Sequence, residues 1–244
     1  MIFNSSLGNT SVPDSLSSLQ HAKIDLYLTS FLQPDEIRSK CFASLSHSER
    51  ARTGSDQQGS WRFIFSRGTM RLLLARSLRC HPTELEIRSN PHGKPYLPDL
   101  AMHFNLSHTA DLLVCALSTD AELGVDVERV RQLSPGAESL LLQTSGIDRD
   151  KFASLSAEQR CRSLIEWWTH REALGKAIGL GMIEGIRNYE LTVAATQAPA
   201  ATGPQHPAAW SIVGFDPGSN CCGAVAARAR SLSIRLEQVN WSSL

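Results

Sequence analysis

Asp126 and Glu128 are the residues whose types and spacing are best suited to hold a cation. They alternate with Val125 and Val127 in the period-two pattern of a β-strand, so both carboxylates leave the same face, about 6–7 Å apart. At that separation their repulsion is about 3 kcal/mol at an effective dielectric constant of ~20. An exposed strand would leave the pair solvated. A buried strand would require a cation, and Mg²⁺, which takes one or two carboxylates with phosphates and waters, is the natural candidate.

Glu172 and Lys176 are a second pair, with opposite charges. They lie four residues apart on a predicted helix, so they share one helix face. An exposed pair of this kind stabilises a helix by only about 0.3–0.5 kcal/mol. The neighbouring Trp167 and Trp168 indicate instead that the helix packs deep in the protein. A solvated ion pair and a buried functional pair both remain open at this point.

Several other polar residues are candidate contacts for phosphate groups. Lys94 lies on a rigid turn between a glycine and a proline, where a point charge suits a phosphate, although a solvated loop lysine is the default. Ser107 and His108 lie near the end of a predicted strand and could either fill the core or donate to a phosphate. Arg52 and Arg67 are most simply surface charges on helices, with phosphate contact as the alternative.

The strand that carries Asp126 is predicted to be internal. Residues 112–117 are a continuous apolar run, typical of a buried strand, and a short polar turn leads from them into residues 124–128. The two segments are therefore predicted to pair as a hairpin. This prediction favours the buried form of the carboxylate pair, and with it a metal site.

Two long helices are predicted, over residues 61–79 and 157–178. Glycines at 179, 181 and 185 end the second one. Ser46, followed three residues later by Glu49, predicts a capped helix start. Residues 196–209 are rich in alanine and proline and predict a surface loop.

The order of these elements predicts an α+β fold with mostly antiparallel strands. We expect two similar lobes, each a small sheet packed on one long helix, with the active site in the cleft between them. The expected divisions are a loose N-terminal extension over residues 1–20, an N-terminal lobe over 21–120 and a C-terminal lobe over 121–244.

Composition narrows the classes of function. The formal net charge of the 244 residues is zero, which argues against nucleic acid or an anionic membrane as partner. No apolar run approaches the ~20 residues needed to span a bilayer. The six cysteines form no C-x-x-C pair, so we expect a cytoplasmic protein with reduced thiols. Phosphate-binding loops, dinucleotide loops, nucleophile elbows and zinc-protease motifs are all absent from the sequence.

Four motifs in this order resemble those of the 4′-phosphopantetheinyl transferase superfamily, in particular its surfactin-synthetase-activating (Sfp) type, whose members are pseudo-dimeric monomers. The resemblance runs from Ile24 to the C-terminus. The motifs are GKP at residues 93–95, FNLSH at 104–108, GVDVE at 124–128 and WTHREALGKAIG at 168–179.

The resemblance implies an enzyme that moves the phosphopantetheine arm of coenzyme A to a serine of an apo acyl or peptidyl carrier protein and releases adenosine 3′,5′-bisphosphate. It implies Mg²⁺, with Mn²⁺ as the alternative ion, and a monomer. The roles that it implies are metal ligation by Asp126, Glu128 and Glu172, catalysis by Glu172 and Lys176, and coenzyme A contacts by Arg52, Arg67, Lys94, Ser107, His108, Asp126 and Lys176.

Two features of the sequence differ from the family pattern. Arg171 stands where the family often has lysine, and the segment after Arg131 lacks an aromatic-rich helix. Two other functions use the same residues: a coenzyme A-binding module without catalytic activity, and a Mg²⁺-dependent phosphohydrolase that needs no carrier. The intact acidic residues and Lys176 argue against the first.

Overall fold

The computed structural model describes residues 21–53, 57–145, 147–179, 190–192, 200–203, 206–218 and 220–244. The strands are β1 His21–Ser30, β2 Arg88–Ser89, β3 Pro95–Tyr96, β4 His103–Thr109, β5 Leu112–Ser118, β6 Leu123–Arg129, β7 Glu190–Thr192, β8 Ala200–Gly203, β9 His206–Phe215, β10 Cys221–Ala227 and β11 Ser231–Gln238. The helices are α1 Asp35–Ala43, α2 His47–Ala51, α3 Gln57–Leu78, α4 Pro135–Ser145, α5 Arg149–Ser154 and α6 Ala157–Ile178, with 3₁₀ turns at Pro82–Glu84 and Trp241–Ser243.

Two sheets carry most of the strands. The first has the order β11-β1-β5-β4, and the second has the order β6-β10-β9-β8-β7. Strand pairing is antiparallel except between β1 and β11, which run parallel. The prediction of a mixed fold with helices and small, mostly antiparallel sheets is confirmed.

The two sheets and the two long helices are stacked in layers, with a hydrophobic cluster between each pair of neighbouring layers. Tyr27 on β1 belongs to a cluster with Leu73 of α3 and Leu113 of β5, which joins α3 to one face of the first sheet. Leu26 on the other face of β1 packs in a cluster with Val125 of β6, which joins the two sheets. A third cluster joins α6 to the far face of the second sheet. The order of layers is therefore α3, first sheet, second sheet, α6.

The helix α6 has the bounds that the sequence predicts, because its ends are determined locally. Ser156 accepts a hydrogen bond from the N–H of Gln159, whose side chain accepts in turn from the N–H of Ser156. At the other end Gly179 adopts the left-handed conformation, with φ of 73°, that terminates many helices. The predicted cap of α2 by Ser46 and Glu49 is confirmed as well.

The predicted hairpin of residues 112–117 with 124–128 is wrong. The strand β5 is flanked by β1 and β4, whereas β6 pairs with β10 in the other sheet. The short turn between β5 and β6 carries the chain from one sheet to the other. The strand β6 is nevertheless internal, as the sequence predicts, because Val125, Asp126 and Val127 are all buried.

Two further predictions concern segments that the structure describes only in part or not at all. The loop predicted over residues 196–209 is wrong where the structure describes it, since β8 and the start of β9 fall there. The extension over residues 1–20 and the glycines at 181 and 185 lie outside the described residues. Among the described helices, none has the length and apolar character needed to cross a membrane.

The first sheet takes a strand from each end of the chain. Ser231–Gln238 pairs with His21–Ser30 as β11 on β1, and Trp241 packs on the core of the first sheet. A division into lobes at residue 120 therefore separates β11 from the sheet to which it belongs. The pseudo-two-fold relation between two such lobes stays a prediction.

Candidate active site

Strand β6 lies directly under helix α6 because Gly124 allows a close approach. A Cβ atom at this position would collide with the backbone of Ala173 and Ala177. The helix can therefore lie on the strand with only hydrogens between them. This contact places the face of α6 that carries Glu172 and Lys176 beside the carboxylates of β6.

Asp126 lies at the centre of a buried hydrogen-bonded group. One of its oxygens, Oδ1, accepts from the Lys176 ammonium at 2.7 Å and from the Ser107 hydroxyl at 2.8 Å. The ammonium also donates to the Ser107 oxygen at 2.9 Å. The Asp126 side chain is only 6 % exposed. Residues from β4, β6 and α6 thus meet around one carboxylate oxygen.

These groups line a cavity of about 340 Å³ between the two sheets and α6. It is bounded by residues of β4, β6 and α6, namely Leu106, Ser107, His108, Asp126, Glu128, Trp168, Glu172 and Lys176. Six of the predicted site residues are therefore brought together: Ser107, His108, Asp126, Glu128, Glu172 and Lys176.

Two carboxylate oxygens at this cavity are buried without a hydrogen-bond partner among the described residues. They are Oδ2 of Asp126 and Oε1 of Glu172. Burial and the nearby charge of Asp126 raise the pKa of Glu172 to about 7, although Lys176 opposes the shift. An unpaired buried carboxylate oxygen is costly unless a cation or a proton compensates it. The donor set, all oxygen, suits a hard divalent cation.

Glu128 lies at the outer edge of the cavity and is held by Arg131. Its carboxylate accepts from the Arg131 guanidinium at 3.1 Å, and its side chain is 26 % exposed. As the side chains stand, the described part of the chain has no group of three or more acidic, histidine or cysteine residues arranged to hold a metal ion. The residues fit such an ion through the oxygens of Asp126 and Glu172 that have no partner among the described residues, and Glu128 lines the same cavity.

Lys94 lines a neighbouring cavity of about 220 Å³, which shares Leu106, Glu172 and Lys176 with the first. Its ammonium donates to the carbonyl oxygens of Leu123 and Ala177, at 3.0 and 2.6 Å. Burial lowers the pKa of Lys94 to about 8. The lysine therefore fastens the turn between β2 and β3 to the start of β6 and the end of α6. Its phosphate contact stays a prediction.

His108 contributes to the mouth of the cavity. Its ring packs edge-on against Phe31, with the ring centroids 5.7 Å apart. Partial burial, together with the positive charges of Arg62 and Lys176, lowers the pKa of His108. A ring that is neutral near pH 7 can donate one N–H to an anion while its other nitrogen stays unprotonated.

Arg52 and Arg67 are not among the residues that line either cavity. The guanidinium groups of both lie over the ring of Phe63, and Arg67 also pairs with Glu49 at 3.3 Å. Burial lowers the pKa of Arg67. Their contact with coenzyme A stays a prediction that these contacts do not support.

Two residues in or beside the cavity, Trp168 and Arg131, are not among the predicted site residues. Arg131 pairs with Glu128, and its position three residues beyond the acidic pair was the available signal. Trp168, which the sequence indicates as a packing residue, packs against the cluster that contains Leu164 and also lines the cavity. Its partner in the double tryptophan, Trp167, is buried in the core with Leu164.

Comparison with known proteins places the chain in a family. It is 30% identical over 222 residues to the 4′-phosphopantetheinyl transferase HetI of Nostoc sp., a match that covers 88% of this chain and 91% of HetI. The chain belongs to the 4′-phosphopantetheinyl transferase superfamily. The family model described as "4'-phosphopantetheinyl transferase superfamily" also matches residues 122–226, the segment that holds Asp126, Glu128, Glu172 and Lys176.

Two other members of the superfamily match over shorter stretches. The 4′-phosphopantetheinyl transferase gsp of Aneurinibacillus migulanus is 27% identical over 72% of this chain and 69% of its own length. The 4′-phosphopantetheinyl transferase Sfp of Bacillus subtilis is 22% identical over 62% of this chain and 66% of its own. This chain is therefore a transferase, as its sequence resemblance to the superfamily predicts.

Proposed function

We propose that this transferase moves the 4′-phosphopantetheine arm of coenzyme A to a serine of an apo acyl or peptidyl carrier protein, with Mg²⁺ as cofactor and adenosine 3′,5′-bisphosphate as product. The observation that carries the proposal is a pair of buried oxygens, Asp126 Oδ2 and Glu172 Oε1, which have no partner among the described residues and lie at one cavity beside Lys176. Membership of the superfamily supplies the reaction class.

The proposed step exchanges one phosphorus–oxygen bond for another. The serine oxygen bonds to the phosphorus that carries the pantetheine arm, and the bond from that phosphorus to the bridging oxygen breaks. The bridging oxygen leaves with adenosine 3′,5′-bisphosphate, and the serine proton goes to a base. Negative charge accumulates on the leaving phosphate, so the site needs positive charge there.

The acidic residues are proposed to divide two tasks. Asp126, Glu128 and Glu172 would hold Mg²⁺, or Mn²⁺ as the alternative, and the ion would neutralise the diphosphate charge. Glu172 would bind the ion through the oxygen that has no partner among the described residues, and its other oxygen would accept the serine proton, directly or through water.

The donors are proposed to bind the phosphates. Lys176 would stabilise the leaving phosphate, since it already lies at hydrogen-bond distance from both Asp126 and Ser107. The hydroxyl of Ser107 and the ring of His108 would contact coenzyme A at the same cavity. Lys94 would contact it from the neighbouring cavity only by exchanging a carbonyl partner for a phosphate.

The test is a mass measurement on a carrier protein. Apo acyl and peptidyl carriers are incubated separately with the chain, coenzyme A and Mg²⁺, and we expect one of them to gain the mass of one phosphopantetheine, with release of adenosine 3′,5′-bisphosphate. Tight coenzyme A binding without a mass gain would favour the binding module. Release of the bisphosphate without any carrier would favour the phosphohydrolase.

Architecture and cellular setting complete the proposal. We propose a cytoplasmic monomer of two related lobes, residues 21–120 and 121–244, with β11 completing the sheet of the first lobe. Sedimentation of the purified chain tests the monomer. A concentration-dependent dimer would contradict it.

A further inference from the structure

The two sheets meet at their edge strands, β4 and β6, without backbone pairing between them. Side chains of β4 instead accept hydrogen bonds from backbone N–H groups of β6. The three bonds run from Val125 N–H to Asn105 Oδ1 at 3.0 Å, from Val127 N–H to Ser107 Oγ at 3.3 Å and from Arg129 N–H to Thr109 Oγ1 at 3.3 Å. We call these three bonds the side-chain ladder.

The ladder determines a single register between the strands. Each of its bonds joins residues that are 20 apart in sequence, so β4 and β6 run side by side in the same direction. Alternate residues of β6 donate to it, and the residues between them, Asp126 and Glu128, are those that line the cavity. Because side chains alternate with period two, a slip of one residue would turn both carboxylates to the opposite face.

The ladder replaces direct backbone pairing between the strands. Its acceptors are side-chain oxygens of β4, so the two backbones are not joined directly at these three positions. The cavity lies beside the ladder. It is lined by Leu106, Ser107 and His108 from one strand and by Asp126 and Glu128 from the other.

The outer bonds of the ladder differ from the middle one. Ser107 in the middle bonds directly to Asp126 and Lys176, so it belongs to the proposed phosphate-binding group. The oxygens of Asn105 and Thr109 accept from backbone N–H groups of β6. Asn105 is buried, and an unpaired N–H beside it would have no water to replace the bond.

We propose that Asn105 and Thr109 are positioning residues of the transfer reaction. They hold β6 in the register that turns Asp126 and Glu128 toward Glu172, and they act through these carboxylates. Asn105 also lines the neighbouring cavity, whereas Thr109 lines neither cavity, so Thr109 tests the register alone. This inference rests on the proposed function, because it takes the carboxylates as ligands of a divalent ion.

Variants of Thr109 and Asn105 test the inference. Thr109→Val removes the acceptor at nearly constant volume, Thr109→Ser keeps it, and Asn105→Ala removes the buried acceptor. Thr119→Val is the matched control, because the Thr119 hydroxyl bonds to Asp120 in an exposed turn. The readouts are the dissociation constant for Mn²⁺ by electron paramagnetic resonance and the hydrogen exchange of peptides that cover residues 123–129.

We expect Asn105→Ala to weaken Mn²⁺ binding about tenfold, the factor that corresponds to roughly 1.4 kcal/mol. Thr109→Val should have a smaller effect, and Thr109→Ser should bind like the wild type. Exchange over residues 123–129 should accelerate in the two weakened variants, and the KM for the carrier should stay unchanged. If Asn105→Ala fails to fold, the Mn²⁺ affinities of Thr109→Val and Thr109→Ser decide whether the inference holds.

Two results would overturn the inference, and they are distinguishable. Faster exchange in β6 with unchanged Mn²⁺ affinity would show that the ladder has only a structural role, while the proposed function would stand. A wild type that binds no Mn²⁺ and transfers without a divalent ion would contradict the metal site of the proposed function, and the inference with it.

Discussion

Each long helix carries ionic side chains into a buried cluster, and the two clusters differ in whether their polar atoms are paired. On α3, Arg67 and Arg71 both pair with Glu49, one with each carboxylate oxygen. The second oxygen also accepts from the Ser46 N–H, and Arg71 donates to two further carbonyl oxygens. Both oxygens of Glu49 and the guanidinium of Arg71 therefore have partners.

The cluster on α6 has too few cations for its carboxylates. Asp126, Glu128 and Glu172 share Lys176 and Arg131, and two of their oxygens have no partner among the described residues. A cluster with all oxygens paired stabilises the fold, whereas one with unpaired oxygens has coordination sites available for a ligand. The shortage of partners among the described residues, rather than the presence of buried charge, distinguishes the candidate active site.

The largest expected effect is that of Glu172→Gln on turnover. The change removes the proposed base and one proposed metal ligand. We therefore expect the rate of transfer to fall by at least about 10²–10⁴-fold, the usual contribution of a general base. The melting temperature should not fall, because Glu172 has an unpaired oxygen in the folded protein. Phosphopantetheine transfer to a carrier measures the first effect and thermal unfolding the second.

Glu166→Gln is the matched control for that variant. Glu166 lies on the same helix and is exposed, with the Arg162 guanidinium 3.8 Å and the Cys222 thiol 4.0 Å from its carboxylate. Its replacement should leave turnover within twofold of the wild type. Near-normal turnover in Glu172→Gln would contradict the assignment of the base.

Glu49→Gln should have the opposite profile. Loss of the carboxylate leaves the buried guanidinium of Arg71 and the partly buried one of Arg67 without this counter-charge, so we expect a loss of about 3–5 kcal/mol in the free energy of unfolding. Turnover per folded molecule should stay unchanged. Urea unfolding and a transfer assay at low temperature separate the two quantities, with Glu84→Gln at an exposed cap as the control. A large loss of turnover without a loss of stability would break the comparison.

The close contact between β6 and α6 predicts that Gly124→Ala is costly. A methyl group there meets the helix backbone, so the helix must move, and we expect a loss of about 1–3 kcal/mol in stability together with weaker transfer. Gly136→Ala is the control, because a methyl group at that helical position meets nothing within 4 Å. Equal melting temperatures for the two variants would show that the helix does not rest on Gly124.

The smallest expected effect is a pH dependence that comes from Lys94. Burial lowers its pKa in the folded protein to about 8, from the ordinary lysine value of 10.5. Between these values the unfolded chain binds more protons at this residue, so its contribution to stability rises with pH. Relative to Lys94→Met, the wild type should gain on the order of 1 kcal/mol from pH 8 to pH 9.5 in urea unfolding. A constant difference would contradict the shift.

Local signals made part of the fold predictable. The ends of α6 follow from Ser156, Gln159 and Gly179, which act within a few residues of the helix. The partner of β6 could not be predicted in this way, because Cys221–Ala227 lies about a hundred residues later in the chain and the nearer β5 offers an equally apolar strand.

The candidate site was predictable to a similar extent. Motif order indicated Asp126, Glu128, Glu172 and Lys176, which the fold brings to one cavity. The surroundings were not predictable, since the bonds of Lys94 to the carbonyl oxygens of Leu123 and Ala177 depend on how the two halves pack. The polar alternation along β4 was visible in the sequence, but its partners on β6 depend on how the sheets meet.

The number of Mn²⁺ ions bound per chain, counted by electron paramagnetic resonance, tests the central claim most directly. The account predicts one ion for the wild type and for Glu49→Gln, and none in the same concentration range for Asp126→Asn or Glu172→Gln. Equal binding by the wild type and Asp126→Asn would contradict the claim that carboxylates of β6 and α6 converge on one divalent ion.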